Sequence, residues 1–222
     1  MYENVKHRLD FLNGLDQPLN YFLKRLTDYL GAIVLLIFFA IPVLIIIALI
    51  KMGSRGPVIY QHQRVGRNGR PFMCYKFRTM YLDANVRLNE LLKRDPAAAR
   101  EWEKYRKLWN DPRITLIGRF LRATSLDELP QLINILKGDM GLVGPRPVTE
   151  EEIRKYYKDA ASVCFGIHPG LTGLWQVSGR NCLTYEKRIE LDMWYVKNWS
   201  LWLDIKILLK SAPVVLIRKG AC

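Results

Sequence analysis

Apolar positions fall into three regimes along the chain. From Leu30 to Ile50 they run unbroken, LGAIVLLIFFAIPVLIIIALI, without a charged or strongly polar side chain. A run of about 20 apolar residues is long enough to span the hydrocarbon core of a bilayer, and a helix greasy on every face is not one packed against a soluble core. The run is too long for a cleaved leader, and no small-residue cleavage site follows it. Pro42 stands near its middle, where it removes a backbone hydrogen bond and crowds the preceding turn. Lys24 and Arg25 precede the run, and Lys51 and Arg55 follow it. A simple crossing leaves the cationic excess on one side. Cations at both ends and a central proline therefore predict a helix that dips into the membrane, breaks at Pro42 and returns to the same face. An ordinary kinked span is the alternative.

In the second regime the pattern alternates. Residues 58–64 and 71–78 flank Asn68-Gly69, the dipeptide that best tolerates positive φ in a tight turn, and so predict a β-hairpin with a cationic tip. Tyr75 and Phe77 alternate with Lys76 and Arg78, which places aromatics on one face and cations on the other. The third regime is helical. Residues 81–109 read as a charge-rich arm that restarts at Asp95-Pro96, and a short helix from Pro130 to Lys137 is ended by Gly138. From Thr184 to Lys219 the chain is amphipathic and crowded with Trp194, Tyr195, Trp199 and Trp202, which fits either a seat at the water–lipid boundary or core packing. Residues 1–23 read as a short lead-in. Together these regimes predict a mainly helical α+β fold with one β-hairpin.

At 222 residues, half of them hydrophobic, the chain can bury one well-formed domain. The formal net charge of +13 requires polyanionic company, which nucleic acid, anionic lipid or a phosphorylated substrate would each satisfy. Cys74, Cys164, Cys182 and Cys222 form no C-x-x-C pair, which argues against a disulfide framework or zinc site and for a reducing compartment.

The chemistry concentrates at Ala123-Thr124-Ser125-Leu126-Asp127-Glu128-Leu129-Pro130-Gln131. Adjacent carboxylates at the positive end of a helix are favoured in their ionised forms, which suits holding a divalent cation or attacking phosphorus. Ser125-x-x-Glu128 equally matches a capping box, in which Glu128 satisfies backbone N–H groups, and the pair alone fits that reading better. Its surroundings shift the balance. Arg122 lies just upstream, and Gly144-Pro145-Arg146-Pro147 pins a guanidinium suited to bidentate contact with phosphate oxygens. A glycine-rich loop from Gly166 to Asn181 offers Gln176, Ser178, Arg180 and Asn181 to hydroxyls and phosphates, while His168 reads as a loop residue. The chain has no G-x-G-x-x-G, G-x-x-x-x-G-K-[ST] or H-E-x-x-H.

Tyr75-Lys76-Phe77-Arg78-Thr79-Met80, Asp111-Pro112-Arg113-Ile114-Thr115, the segment from Thr124 to Leu132, Lys137-Gly138-Asp139-Met140, Gly144 to Pro147 and Gly173 to Asn181 stand in an order that resembles the bacterial sugar transferases, the monotopic polyprenyl-phosphate phosphoglycosyl transferases. The resemblance covers residues 24–220. It implies a re-entrant membrane helix over 24–52 and a cytoplasmic catalytic domain with interfacial helices over 53–222. It further implies transfer of hexose 1-phosphate from a UDP-hexose, galactose first and glucose next, to undecaprenyl phosphate at the cytoplasmic face of a bacterial inner membrane. Mg2+ is the implied cofactor, with Asp127 as nucleophile and metal contact and Glu128 as its orienting or proton-handling partner. Lys76, Arg78, Arg113, Arg122, Pro145, Arg146, Gln176, Ser178, Arg180 and Asn181 are the implied substrate contacts. Membrane lipids are implied partners, nucleic acid is not, and a homodimer is compatible with the family. Two departures stand out: Ile41-Pro42 replaces the usual Ser-Pro at the membrane break, and His168 replaces the usual cation before Pro-Gly. The alternative reading is a non-catalytic, membrane-anchored basic protein that binds anionic lipid.

Overall fold

The computed structural model describes residues 17–105, 108–179 and 183–216. Its first two helices, α1 (Pro18–Phe38) and α2 (Ala40–Gly53), meet at Phe39 with a bend of 62°. The cause is chemical. Pro42 has no N–H to offer the carbonyl of Phe38, whereas Phe39 N still donates to Leu35 O at 2.9 Å and Val43 N to Phe39 O at 2.8 Å. The break thus falls ahead of Pro42, which occupies the first turn of α2, where proline is tolerated. No single helix among the described residues is long and apolar enough to cross a membrane, but the bent pair passes that test together.

Both arms of the bend return to one body. Ile46 and Ile50 of α2 pack with Phe77 and Leu121. Lys24, Arg25, Asp28 and Ala32 of α1 are buried. Lys24 and Arg25, the basic flank that precedes the apolar run, each have a carboxylate within reach to offset their desolvation. Between the arms, Ile37, Phe38 and Ile41 are 72–73% exposed.

The hairpin forms as its turn dictates. Strands β1 (Ile59–Val65) and β2 (Pro71–Phe77) are antiparallel, with Ile59 opposite Phe77 and Val65 opposite Pro71. Asn68 at the tip takes φ 55°. The arm is two helices, α3 (Ala84–Arg94) and α4 (Pro96–Tyr105), around a small core of Leu88, Ala98 and Leu108. Asp95 caps α4 by accepting from Ala97 N and Ala98 N at 2.8 and 3.1 Å.

Next come α5 (Leu116–Thr124) and α6 (Gln131–Lys137), the latter ended by Gly138 at φ 89°. Gly118 lets α5 approach the end of β2, because a Cβ there would lie 2.0 Å from Thr79 O. The strands β3 (Gly141–Val143) and β4 (Gly170–Thr172) form a parallel pair, and the helical segments α7 (Glu150–Glu152) and α8 (Ala161–Cys164) lie in the crossover between them. The glycine-rich loop read from sequence therefore contains a strand and a helix, α9 (Leu174–Ser178). Finally, α10 (Tyr185–Lys197) and α11 (Leu201–Leu216) close the main core around Leu132, Ile135, Met140, Val143, Val196 and Ile207. The aromatic cluster divides between its two expected fates: Tyr195 and Trp199 are buried, whereas Trp194 and Trp202 are exposed.

Candidate active site

Asp127 and Glu128 lie on a 3-10 turn, Leu126–Glu128, between α5 and α6. Thr115 starts α5 by accepting from Gly118 N at 2.9 Å, and Ser125 ends it in the left-handed region at φ 57°. The next turn is anchored by apolar residues: Leu126 packs with the Phe77–Leu121 core and Leu129 bridges that core and the main one. Burial of these flanking leucines leaves the two carboxylates to the side occupied by Lys76.

The capping box does not form. Ser125 makes no side-chain cap hydrogen bond, because its left-handed backbone is not the extended conformation an N-cap adopts. Glu128 instead accepts from Lys76 Nζ at 2.6 Å, and Arg146 lies 3.7 Å from the same oxygen. Asp127 is held differently. Its side chain is 13% exposed, it accepts no hydrogen bond among the described residues, and its one ion pair there is with Lys76 Nζ at 3.9 Å.

Burial, followed by the charge of Glu128, pushes the Asp127 carboxyl up to about 6, against the pull of Lys76, Arg122 and Arg146. The helix end was expected to favour the ionised form, but α6 begins only at Gln131, beyond the range at which its dipole outweighs burial and a neighbouring anion. Near neutral pH Asp127 remains predominantly anionic, and it is a more basic carboxylate than an exposed one. Cys74 is not a competing nucleophile, since burial raises its thiol pKa and so disfavours the thiolate.

Lys76 is aimed by the sheet and by α6. Asn134, wholly buried, accepts from Tyr75 N at 3.0 Å and donates to Met73 O at 2.8 Å, acting as a surrogate strand along the free edge of β2. Arg64, Cys74, Lys76, Glu128, Gln131, Arg146, Pro147, Gly170 and Leu171 line a narrow cleft. Asn134 and Arg64 were missed in the sequence. Arg64 reads there as one more strand cation, and Asn134 as a polar residue on a short helix.

The other expected contacts separate. Arg122 donates to Thr79 Oγ1 at 2.8 Å; burial lowers its pKa while the charges of Asp127 and Asp111 oppose that change. Arg113 is paired with Asp111, NH2 to Oδ2 at 2.6 Å, over the ring of Trp102. Arg78 is buried and donates to Arg55 O at 2.6 Å and Ser54 O at 2.8 Å, tying β2 to the end of α2 instead of reaching the carboxylates. Pro145 is fully buried and its carbonyl accepts from Gly170 N at 2.8 Å. Gln176 donates to Leu171 O at 3.3 Å at the cleft wall, whereas the Ser178 hydroxyl is bonded to its own helix at Leu174 O, 2.7 Å away. Arg180 and Asn181 lie outside the described residues. Burial and the charges of Arg25, Arg67 and Lys24 pull His168 down to about 3, so it is a neutral loop residue.

A desolvated carboxylate beside a cation-lined cleft has the make-up of an enzyme site that receives an anionic group. The comparisons with known proteins then supply the family: residues 19–218 match bacterial sugar transferase, and the chain belongs to that family. It is 54% identical over 209 residues to the undecaprenyl-phosphate galactose phosphotransferase of Salmonella typhimurium, covering 94% of this chain and 44% of that protein. It is 47% identical to the exopolysaccharide production protein ExoY of Rhizobium meliloti, covering 94% of this chain and 92% of the relative. Similarity extends at 37% identity to the UDP-glucose:undecaprenyl-phosphate glucose-1-phosphate transferase of Escherichia coli, covering 98% of this chain and 47% of that protein. The chain thus spans under half the length of the first and last of these.

Proposed function

We propose that this chain transfers hexose 1-phosphate from a UDP-hexose to undecaprenyl phosphate, an early membrane step in building a surface polysaccharide. The observation that carries the reading is the contrast at the centre of the site: Glu128 is fixed by Lys76 at 2.6 Å, and Asp127 beside it has no hydrogen bond among the described residues. In the first half-reaction an Asp127 carboxylate oxygen forms a bond to the sugar-bearing phosphorus, and the bond from that phosphorus to the bridging oxygen breaks. UMP leaves with the electron pair. In the second, an oxygen of undecaprenyl phosphate attacks the same phosphorus, Asp127 departs as carboxylate, and undecaprenyl diphosphate hexose is formed. Glu128 keeps Lys76 at the edge of the reacting centre, while Lys76, Arg146 and Arg64 supply the positive field that a diphosphate requires.

Mg2+ fits this donor set as a cation carried with the substrate. Among the described residues no three His, Cys, Asp or Glu side chains gather to hold a metal, but Mg2+ needs only one or two carboxylates when phosphate oxygens complete its shell. Asp127 would hold it, with Glu128 next to it. When bound, it would offset the negative charge of the diphosphate oxygens.

The anchor belongs to the same proposal. Both arms of the α1–α2 bend pack on the catalytic body and the exposed apolar apex lies between them, which supports a re-entrant helix at residues 24–52 and a catalytic domain at 53–222 on the cytoplasmic face of the inner membrane. One acceptor is a lipid and the donor is soluble, so the site must lie at the boundary. Single cysteines at positions 20 and 55, in a background with the native cysteines replaced, should label from the same side of inverted vesicles. Opposite-side labelling would overturn the re-entrant anchor.

Galactose is the favoured hexose because the Salmonella relative is named for it. Incubating membranes containing the chain with undecaprenyl phosphate and a panel of UDP-sugars should release UMP fastest from UDP-galactose. Release above background from none of the panel would reject the reading.

A further inference from the structure

Among the described residues, the edge of β3 that faces away from β4 carries no strand, and charged side chains of the anchor helix occupy it. Arg25 NH1 donates to Met140 O at 2.8 Å, Asp28 Oδ1 accepts from Leu142 N at 2.9 Å, and Lys24 Nζ donates to Val143 O at 3.0 Å. The residues lie within five positions of α1, so one short stretch of the helix reads three backbone groups of the segment that runs into Gly144-Pro145-Arg146. Lys24 is saturated: its other two contacts are Asp28 Oδ1 and Asp204 Oδ2, both at 2.9 Å. Asp204 in turn accepts from Tyr195 OH at 2.7 Å and from Trp199 Nε1 at 3.2 Å, which brings α10 and α11 into the same knot. Lys24, Arg25, Asp28 and Asp204 are all at most 8% exposed, and their charges sum to zero. Gly141 is needed for the approach, since a Cβ there would lie 2.8 Å from Asp28 Oδ2.

We infer that Lys24, with Asp28 and Asp204, is a positioning group for the active site: it clamps β3 so that Arg146, three residues beyond the carbonyl that Lys24 holds, stands beside Glu128. The anchor helix is thereby part of the catalytic apparatus as well as a tether. A buried ion cluster serves poorly as a source of net stability, because desolvation cancels most of its Coulomb gain, but it fixes geometry. The role of Arg146 toward the nucleotide sugar rests on the proposed function; the clamp itself does not.

The test uses the full chain in lipid nanodiscs and the pair variant Lys24→Met/Asp204→Asn, which removes one cation and one anion together so that the knot stays neutral. Hydrogen exchange should show loss of protection confined to residues 140–147, with the amides of α6 unchanged. Unchanged exchange at 140–147, or loss throughout the core, would overturn the clamp. With UDP-galactose as the probe, the pair variant should raise KM about tenfold, and this effect should vanish in an Arg146→Ala background. Multiplicative effects of the two changes would show that the knot acts elsewhere. If Arg146→Ala alone leaves that KM unchanged, the assignment of Arg146 to this substrate fails, and the exchange experiment still decides the clamp. Lys24→Arg, which keeps the charge, should retain protection at 140–147.

Discussion

Two segments of this chain carry the same four-residue signature and use it in opposite ways. Thr149-x-x-Glu152 closes a capping box at the start of α7: Glu152 N donates to Thr149 Oγ1 at 3.2 Å, and Thr149 N to Glu152 Oε2 at 2.8 Å. Ser125-x-x-Glu128 has the same spacing and closes nothing. The difference lies in the backbone of the first residue. Thr149 is extended at φ −79°, ψ 162°, whereas Ser125 sits in the left-handed region because it also ends α5. Released from capping, Glu128 pairs with Lys76, and among the described residues Asp127 is left partnered only by charge. A motif becomes structural or chemical according to what the preceding helix demands of its first residue.

The largest effect should come from removing the group that this arrangement frees. Asp127→Asn should lower turnover by more than about 10⁴-fold in a UMP-release assay. The same substitution should stabilise the fold. Below the ordinary carboxyl pKa of about 3.9 both folded and unfolded chains are protonated; as pH rises, the unfolded chain loses its proton first, and the folded one only near 6, so ionising Asp127 opposes folding above that window. An uncharged Asn escapes this penalty. At pH 7.5 denaturant melts should show a gain of up to about 3 kcal/mol.

The two glutamates then separate the two uses. Glu128→Gln should cost about a hundredfold in turnover with little change in melting, whereas Glu152→Gln should melt earlier and keep turnover within a few-fold. Equal losses of activity in both would dissolve the contrast. A smaller and continuous readout is pH. Rate should rise through about pH 6 and level off above it, as Asp127 becomes the anionic nucleophile. Lys76→Met removes a cation that lowers this pKa, so the rising limb should move to higher pH; a shift to lower pH would contradict the assignment. The smallest effects lie at the first residues of the two signatures. Thr149→Ala should destabilise by about 1 kcal/mol through the lost cap. Ser125→Gly should be neutral or stabilise by a few tenths of a kcal/mol, because glycine accepts positive φ without strain.

Much of the fold could be read from the sequence because local chemistry decided it. Asn68-Gly69 forced the hairpin tip, Pro42 broke the apolar helix, and Pro130 and Gly138 bounded α6. The pair β3 and β4 could not be read, since three residues are too few to show a period and their partners are distant in sequence. The carboxylates and Arg146 were legible as a constellation, and Lys76 as one of several cations. Arg78 was misleading: it continues the alternation of Lys76, but β2 ends at Phe77 and the guanidinium turns to Ser54. Lys24 and Arg25 could be read only as the basic flank of the apolar run, because the β3 carbonyls they hold are distant in sequence. The raised pKa of Asp127 was illegible because it depends on burial, which local sequence does not report.

The central claim is that Asp127 bonds to phosphorus, and trapping the adduct tests it most directly. The purified chain, incubated with UDP-galactose and Mg2+ without lipid acceptor and then quenched, should release up to one equivalent of UMP. Mass spectrometry should then find one phosphohexose on the peptide containing Asp127, discharged by added undecaprenyl phosphate and absent from Asp127→Asn. UMP release that requires the lipid acceptor, with no adduct on any peptide, would contradict the account and indicate a single-step transfer.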